Sequence, residues 1–245
     1  MKSPLEQFDI INVKAASILN IDVAFNNILV PLCLALFFLF INVYIYVYKL
    51  SIIPLYIQGL VENLYIFIVS LVKQQTGGYG LFWFPFIFCL FNFILLSNLL
   101  SLIPFGMALT SHLILMLLLS CTTCISIFLI GLLRFNLKFL HIFIPQCPFI
   151  LLPILIPIEI FSYLIRLFSL SIRLAANILA GHTLVHIIVT FLLNLAKMDI
   201  IMSILFLIPL FLILILEFGV ALLQAYVFTV LVCIYLGDTR SIGAH

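Results

Sequence analysis

Charge is the scarcest commodity in this chain of 245 residues. Lys and Arg number 10 and Asp and Glu 8, together 7% of the sequence, against 67% hydrophobic residues. With a mean hydropathy of +1.44, that scarcity excludes a soluble domain, in which about 25% of residues are charged. The chain reads instead as an integral membrane protein. A formal net charge of +2 without clustered Lys and Arg also excludes a nucleic-acid surface, because neutralising phosphates takes concentrated positive charge. No removable targeting signal is expected either. The first 25 residues set Lys2 and Lys14 beside Glu6, Asp9 and Asp22, and they have neither the Arg-rich, acid-poor character of a transit peptide nor a short apolar core with a cleavage site.

Six cysteines are present, but Cys33, Cys89, Cys121, Cys124 and Cys233 lie within apolar runs, where a thiol packs as a small hydrophobe. Cys121-Thr-Thr-Cys124 has redox spacing without a second such pair or a βαβ context. No metal and no cofactor is expected.

The apolar runs give the organisation, an all-α membrane protein in a single integral domain 1–245. After an N-terminal segment 1–27, the uncharged run 28–48 is long enough to cross a hydrocarbon core of about 30 Å at about 1.5 Å per residue. Residues 54–73 interrupt Leu, Ile and Val with Gln58, Glu62 and Asn63, the pattern of an amphipathic helix lying in the interface. A turn at Gly77-Gly78-Tyr79-Gly80 leads to a span at 81–103. Pro104-Phe105-Gly106 turns the chain into another at 108–133. Residues 144–157 are rich in proline and read as a connector. From 158 to 196 proline is absent and Gly181 is the lone glycine, so one continuous helix nearly 60 Å long is expected. A second long run covers 200–236, interrupted only by Pro209, with Lys197-Met198-Asp199 as the polar turn between them. Neither run has the break that re-entry would require, and hiding about 60 Å within about 30 Å demands steep tilt. The expected C-terminal unit is a hairpin of two long, steeply tilted, membrane-embedded helices. Lys49, Lys73, Arg134, Lys138 and Arg240 fall on one side of the membrane in this layout, with Lys197 on the other, which places the hairpin turn outside and the C-terminus inside.

The few intramembrane charges fall in that hairpin: Glu159, Arg166, Arg173, His182, His186 and Glu217, with Gln224 nearby. A fold-back about residues 198–199 sets Arg173 opposite Gln224, Glu217 opposite Ala180 and close to His182, and Asp238 opposite Glu159. Arg166, near the inner end, can snorkel to the headgroups. Arg173 lies deep in the helix, where a guanidinium costs about 2.5–3.5 kcal/mol on insertion scales. His182 and His186 at i and i+4 could ligate a metal with Glu217, but a titratable relay suits an imidazole beside a partly desolvated carboxylate better. His112 and His141 read as interfacial. A guanidinium without its own carboxylate at that depth points to a counter-charge on another subunit. Passing Arg173, such a carboxylate is driven to its ionised form, and the fixed positive charge bars a direct proton leak. Glu217 and His182 would then form the outer access path and Glu159, with Asp238, the inner one.

The same residues carry a family resemblance. "SLSIRLAANILAGH" (169–182) closely resembles the signature of the subunit a family of F-type ATP synthases, the proton-channel stator facing the rotating ring of c subunits. "LLSNLLSLIPF" (95–105), "PILIPIEIFSYLIRLFSLSIRLAAN" (153–177) and "LEFGVALLQAYVFTVLVCIYLGD" (216–238) match that family in order and spacing, and the opening "SPLEQFDI" resembles mitochondrial members. The resemblance implies that Arg173 is the essential coupling arginine, with Asn177 one turn on and Gln224 facing it. It implies that His182 and Glu217 form the outer half-channel pair and that Glu159 is the inner carboxylate, with Asp238 and His186 as further pathway candidates. It also implies a non-catalytic chain of the mitochondrial inner membrane, partnered by the c-ring, a peripheral stalk, other membrane-sector subunits and lipid. Ser101 stands where many relatives have glycine, and 106–148 matches weakly.

Two other classes fit less well. A bis-histidine haem subunit needs histidines on facing spans, whereas His182 and His186 share one helix. A secondary transporter predicts internal repeats, and the sequence has none.

Overall fold

A computed structural model describes residues 12–18, 21–26, 29–48, 56–102, 109–135, 152–196 and 200–241. Six helices follow a short hairpin among these residues: β1 (Asn12–Ile18), β2 (Ile21–Asn26), α1 (Leu29–Tyr48), α2 (Tyr56–Thr76), α3 (Phe84–Ser101), α4 (Leu113–Phe135), α5 (Leu152–Ala196) and α6 (Ile200–Ser241). Four stretches are long and apolar enough to cross a membrane: Gly80–Ser101, Leu113–Leu133, Leu152–Asn194 and Leu207–Thr239. The chain is thus an all-α membrane protein with one small β addition. In α1 the apolar stretch is shorter, Pro31–Tyr44.

The β-hairpin falls in the N-terminal segment 1–27, to which the sequence pattern assigned no element. Its strands pair antiparallel from Asn12↔Asn26 to Ile18↔Ile21, with an irregularity between Asn12 and Lys14. Val, Ile and Phe in these strands favour extended backbone.

The expected proline-rich connector 144–157 needs correction at its end, because α5 starts at Leu152 and runs through Pro157. Pro153 lies in the first turn, where a missing N–H costs nothing, and Pro157 removes just one bond beyond that turn. Upstream of Leu152 the connector lies outside the described residues, as do the turns at 104–106 and 197–199, His141, and the charges Lys49, Lys138 and Lys197. At 45 residues α5 is about 68 Å long, and α6 at 42 residues about 63 Å. Each is about twice the hydrocarbon thickness. α6 ends at Ser241 rather than 236, so Asp238 is helical.

The fold divides into two compact units, one of Met1–Ile41, Asn92–Leu115 and Leu174–Ala225, the other of Asn42–Phe91, Met116–Arg173 and Tyr226–His245. In the first, small residues let helices approach closely. Ala175 on α5 and Ala221 and Ala225 on α6 are buried, and the Asn98 amide of α3 donates to the Ala221 carbonyl at 3.2 Å.

The second unit packs larger side chains. Ile68 and Val72 of α2, Ile87 and Phe91 of α3, Ile127 of α4, and Phe228 and Val232 of α6 are buried. Tyr65 meets Phe84 edge-on at 4.8 Å, and Phe67 lies 6.0 Å from Tyr226. α2 buries Val61, Ile68, Leu71 and Val72 while exposing Tyr56, Leu60 and Ile66, and it is not among the spanning candidates. An interfacial position fits this pattern.

The α2–α3 turn is glycine-dependent as the sequence indicates. Gly77 and Gly78 take φ of 59° and 91°, where a side chain is strained. Thr76 then donates to the Val72 carbonyl at 2.7 Å and accepts the Gly80 N–H at 3.1 Å. A Cβ at residue 80 would overlap the Thr76 hydroxyl and lie 2.8 Å from its Cβ. Gly80→Ala is therefore expected to destabilise the chain by about 1–3 kcal/mol, read as a lower thermal-unfolding midpoint in detergent. An unchanged midpoint would show that the turn is not closed through Thr76.

Candidate functional site

A cavity of about 300 Å³ lies in the first unit, walled by α3, α5 and α6. Four of the residues singled out by sequence, Asn177, His182, Glu217 and Gln224, line it, together with Asn98 and Ser101 of α3. Most of the remaining lining is aliphatic, including Leu102, Leu174, Ile178, Ile213 and Val220. The polar groups therefore gather in one cleft between otherwise apolar helices, as in ligand and ion sites.

The α5–α6 approach sets the geometry. Gly181 packs directly on Glu217, so that a Cβ at 181 would overlap Glu217 Oε1 and lie 2.8 Å from its Cδ. The fold-back estimate, which set Glu217 opposite Ala180, was one residue off. A side chain at 181 would displace the end of Glu217, and space rather than backbone conformation is what a substitution there meets, since residue 181 is helical. The opening at Gly181 lets the carboxylate lie against α5, in the cavity that His182 also lines. Oε1 of Glu217 is buried and has no hydrogen-bond partner among the described residues.

On the other side, the His182 imidazole donates to the backbone carbonyl of Ser101, at the C-terminal end of α3. Ser101 donates its own hydroxyl to the Asn98 carbonyl at 2.5 Å. Asn98 is fully buried; its amide is engaged with Ala221, while Oδ1 has no partner among the described residues. Gln224 is 5% exposed. Titratable His182 and Glu217 thus share a cavity with amide and hydroxyl groups able to orient water.

Asn98 and Ser101 were not placed on the polar track by sequence reasoning. The signal was present in the asparagine of "LLSNLLSLIPF", an amide inside a span, which costs too much in hydrocarbon to stand without partners. What the pattern could not supply was the packing of α3 against α5 and α6.

His186, one turn after His182, is half-buried on α5 and does not line the cavity. The remaining candidates belong to the second unit, where Arg173 and Glu159 on α5 and Asp238 on α6 are all exposed. The helical position of Arg166 is described, and its side chain lies outside the described residues. No group of three or more His, Cys, Asp or Glu able to hold a metal occurs among the described residues.

The fold and the cleft define a polytopic helical membrane protein with a carboxylate and an imidazole lining one cavity among its apolar helices. More particularly, the chain belongs to the ATP synthase A chain family, which it matches over residues 28–237. It is 40% identical to the ATP synthase subunit a of Ehrlichia ruminantium, covering 96% of this chain and 97% of that one. Similar relatives are the subunits a of Acanthamoeba castellanii, 40% identical over 96% of both chains, and of Chondrus crispus, 40% identical over 96% of this chain and 95% of that one.

The Gly181–Glu217 contact gives a stability test. Gly181→Ala should cost about 1–3 kcal/mol, and much of that cost should vanish when Glu217 is also replaced by Ala. A double-mutant cycle of unfolding midpoints in detergent is expected to give a coupling of about 0.5–3 kcal/mol. Additive effects would mean that the two residues do not touch.

Proposed function

We propose that this chain is the proton-conducting stator subunit of an F-type ATP synthase, a non-catalytic part of the membrane sector that passes protons to and from the carboxylates of a rotating c-ring. The observation that carries the reading is the cavity that His182 and Glu217 share with Asn98 and Gln224. A buried carboxylate oxygen without a protein donor is costly in an apolar medium unless it is protonated or reached by water. Both alternatives suit a group that takes up and releases protons. In this reading the cavity is the outer half-channel, filled by water, and Glu159 with Asp238 serves the inner one. α5 and α6, each about twice as long as the hydrocarbon is thick, lie steeply tilted and present a long face to the ring.

Arg173 acts between the two half-channels. It is exposed on α5 next to Ile172, on a stretch whose other exposed residues include Ile165 and Phe168. An exposed guanidinium on an apolar intramembrane face needs an anionic partner from outside the chain. A c-ring carboxylate meeting it is held ionised and gives up its proton, so rotation proceeds with exchange rather than with a carried-over proton. The fixed charge also repels protons and blocks a direct path. Each charge crossing 100 mV yields about 2.3 kcal/mol, which is the source of torque. A peripheral stalk holds the chain against that torque. The mitochondrial inner membrane is the proposed location, on the likeness of the N-terminal "SPLEQFDI" to mitochondrial members. The bacterial relative from Ehrlichia makes a bacterial plasma membrane the alternative.

The test is ATP-driven proton pumping and passive proton leak in membranes carrying Arg173→Ala, after assembly is confirmed. Pumping should be lost while the passive leak is normal or raised, and Arg173→Lys should not restore it, because a compact ammonium does not reproduce the planar fork. Unchanged pumping in Arg173→Ala would refute the assignment. For Glu217→Gln, the expected result is a fall of about 10²-fold or more in both pumping and leak, since general acid–base groups contribute about 10²–10⁴-fold.

A further inference from the structure

In the second unit, a hydroxyl chain joins α4 to α5 two residues before Arg173. Ser171 Oγ donates to Ser120 Oγ at 2.5 Å, and Ser120 Oγ donates in turn to the Leu117 carbonyl at 3.0 Å. Both serines are 1% exposed. One turn further along α4, the Tyr163 hydroxyl of α5 donates to the Cys124 sulfur, and the Tyr163 ring lies 4.6 Å from that of Tyr235 on α6. The two contacts run in opposite chain directions, Ser120 with Ser171 and Cys124 with Tyr163, as expected where α4 and α5 pack antiparallel. They form a ladder of polar contacts between helices whose facing sides otherwise bury Leu170, Ile127 and Thr123, the last donating to its own helix at the Ser120 carbonyl.

We propose that the Ser120–Ser171 bond is a positioning device that fixes the rotational setting of α5, and with it the direction of the Arg173 side chain. The inference rests on the coupling role proposed above for Arg173. Two residues along a helix turn it by about 200°, so Ser171 and Arg173 lie on nearly opposite faces. The structure agrees, with Ser171 buried and Arg173 exposed. Apolar packing in a membrane does little to fix rotation, because lipid tails are as apolar as the neighbouring helix. A hydrogen bond is directional and has no competing water there. Rotating α5 by 20° would move a group about 6 Å from the axis by about 2 Å, and misplacements of about 1 Å can cost about 10²-fold in a reaction that depends on alignment. Arg173 must present its guanidinium to a passing carboxylate, so the azimuth of α5 is a functional variable, and Ser120 and Ser171 set it without touching the carboxylate.

The experiment compares Ser120→Ala, Ser171→Ala, the double Ala variant and a Ser120→Cys/Ser171→Cys pair in the assembled complex, with Arg173→Ala beside them. Protons pumped per ATP hydrolysed are measured at matched assembly. Each single Ala variant is expected to lower that ratio at least about fivefold, the equivalent of one hydrogen bond, and the double variant no further. Oxidising the Cys pair to a disulfide should restore the ratio, and reducing it should lower the ratio again, which a loss of folded protein would not do. Ala variants that pump like the wild type, while Arg173→Ala does not pump, would overturn the positioning inference and leave the coupling role standing. Undiminished pumping in Arg173→Ala would overturn both. Should the Ala variants fail to assemble, the Cys pair decides, and equal ratios in its oxidised and reduced states would overturn the inference.

Discussion

A polar group carried into hydrocarbon must find its partners within the protein or reach water, and the arrangement of this chain follows from that constraint. Backbone groups meet it by running unbroken in α5 and α6 for 45 and 42 residues, since an interruption would expose N–H and C=O groups to lipid. Many hydroxyls meet it locally. Ser97, Thr123, Thr183 and Thr229 each donate to a carbonyl three residues back in their own helix, which satisfies the donor without linking one helix to another. Against that background, the polar contacts that do reach another helix carry the information about packing. Asn98 to Ala221, His182 to Ser101 and Ser171 to Ser120 are three such contacts.

Sequence pattern recovered the elements whose signals are local. The apolar runs 81–103 and 108–133 fall on α3 and α4, and the scarcity of breakers gave the two long helices, with no proline between 158 and 196 and Pro209 alone within the second run, because each depends on composition in a single window. The start of α5 was misjudged for a local reason too: a proline in the first helical turn reads as a breaker although that turn has no bond to lose. The β-hairpin was missed because two short strands followed by a membrane helix have no length-scale signal to set them apart from a loop.

The site was legible in part. Glu217 and His182 fall in one cavity, since a hairpin of two helices has a single free parameter, the position of the fold-back, and an error of one residue still brings both to the same stretch. Asn98 and Ser101 were beyond such reasoning. They stand more than 70 residues before the other cavity residues, and no periodicity specifies where α3 docks. The same holds for Ser120 and Ser171, 51 residues apart. A serine in an apolar helix is satisfied by its own backbone, so its sequence context does not disclose whether it also bonds across.

Glycine and alanine at the α5–α6 approach tie this packing to the chemistry. Were residue 181 any larger, Glu217 would have to turn away from α5. It would then either lie against lipid, at the cost of a carboxylate in hydrocarbon, or recruit a fixed donor that held it permanently ionised. Neither arrangement would serve the proposed proton transfer. The small residue leaves the carboxylate in the cavity that His182 also lines and without a protein donor on Oε1 among the described residues, so that water or a proton must meet it. Absence of a side chain at 181 is on this argument as much a part of the proposed proton site as the carboxylate itself, and it follows from the same constraint that keeps α5 and α6 continuous.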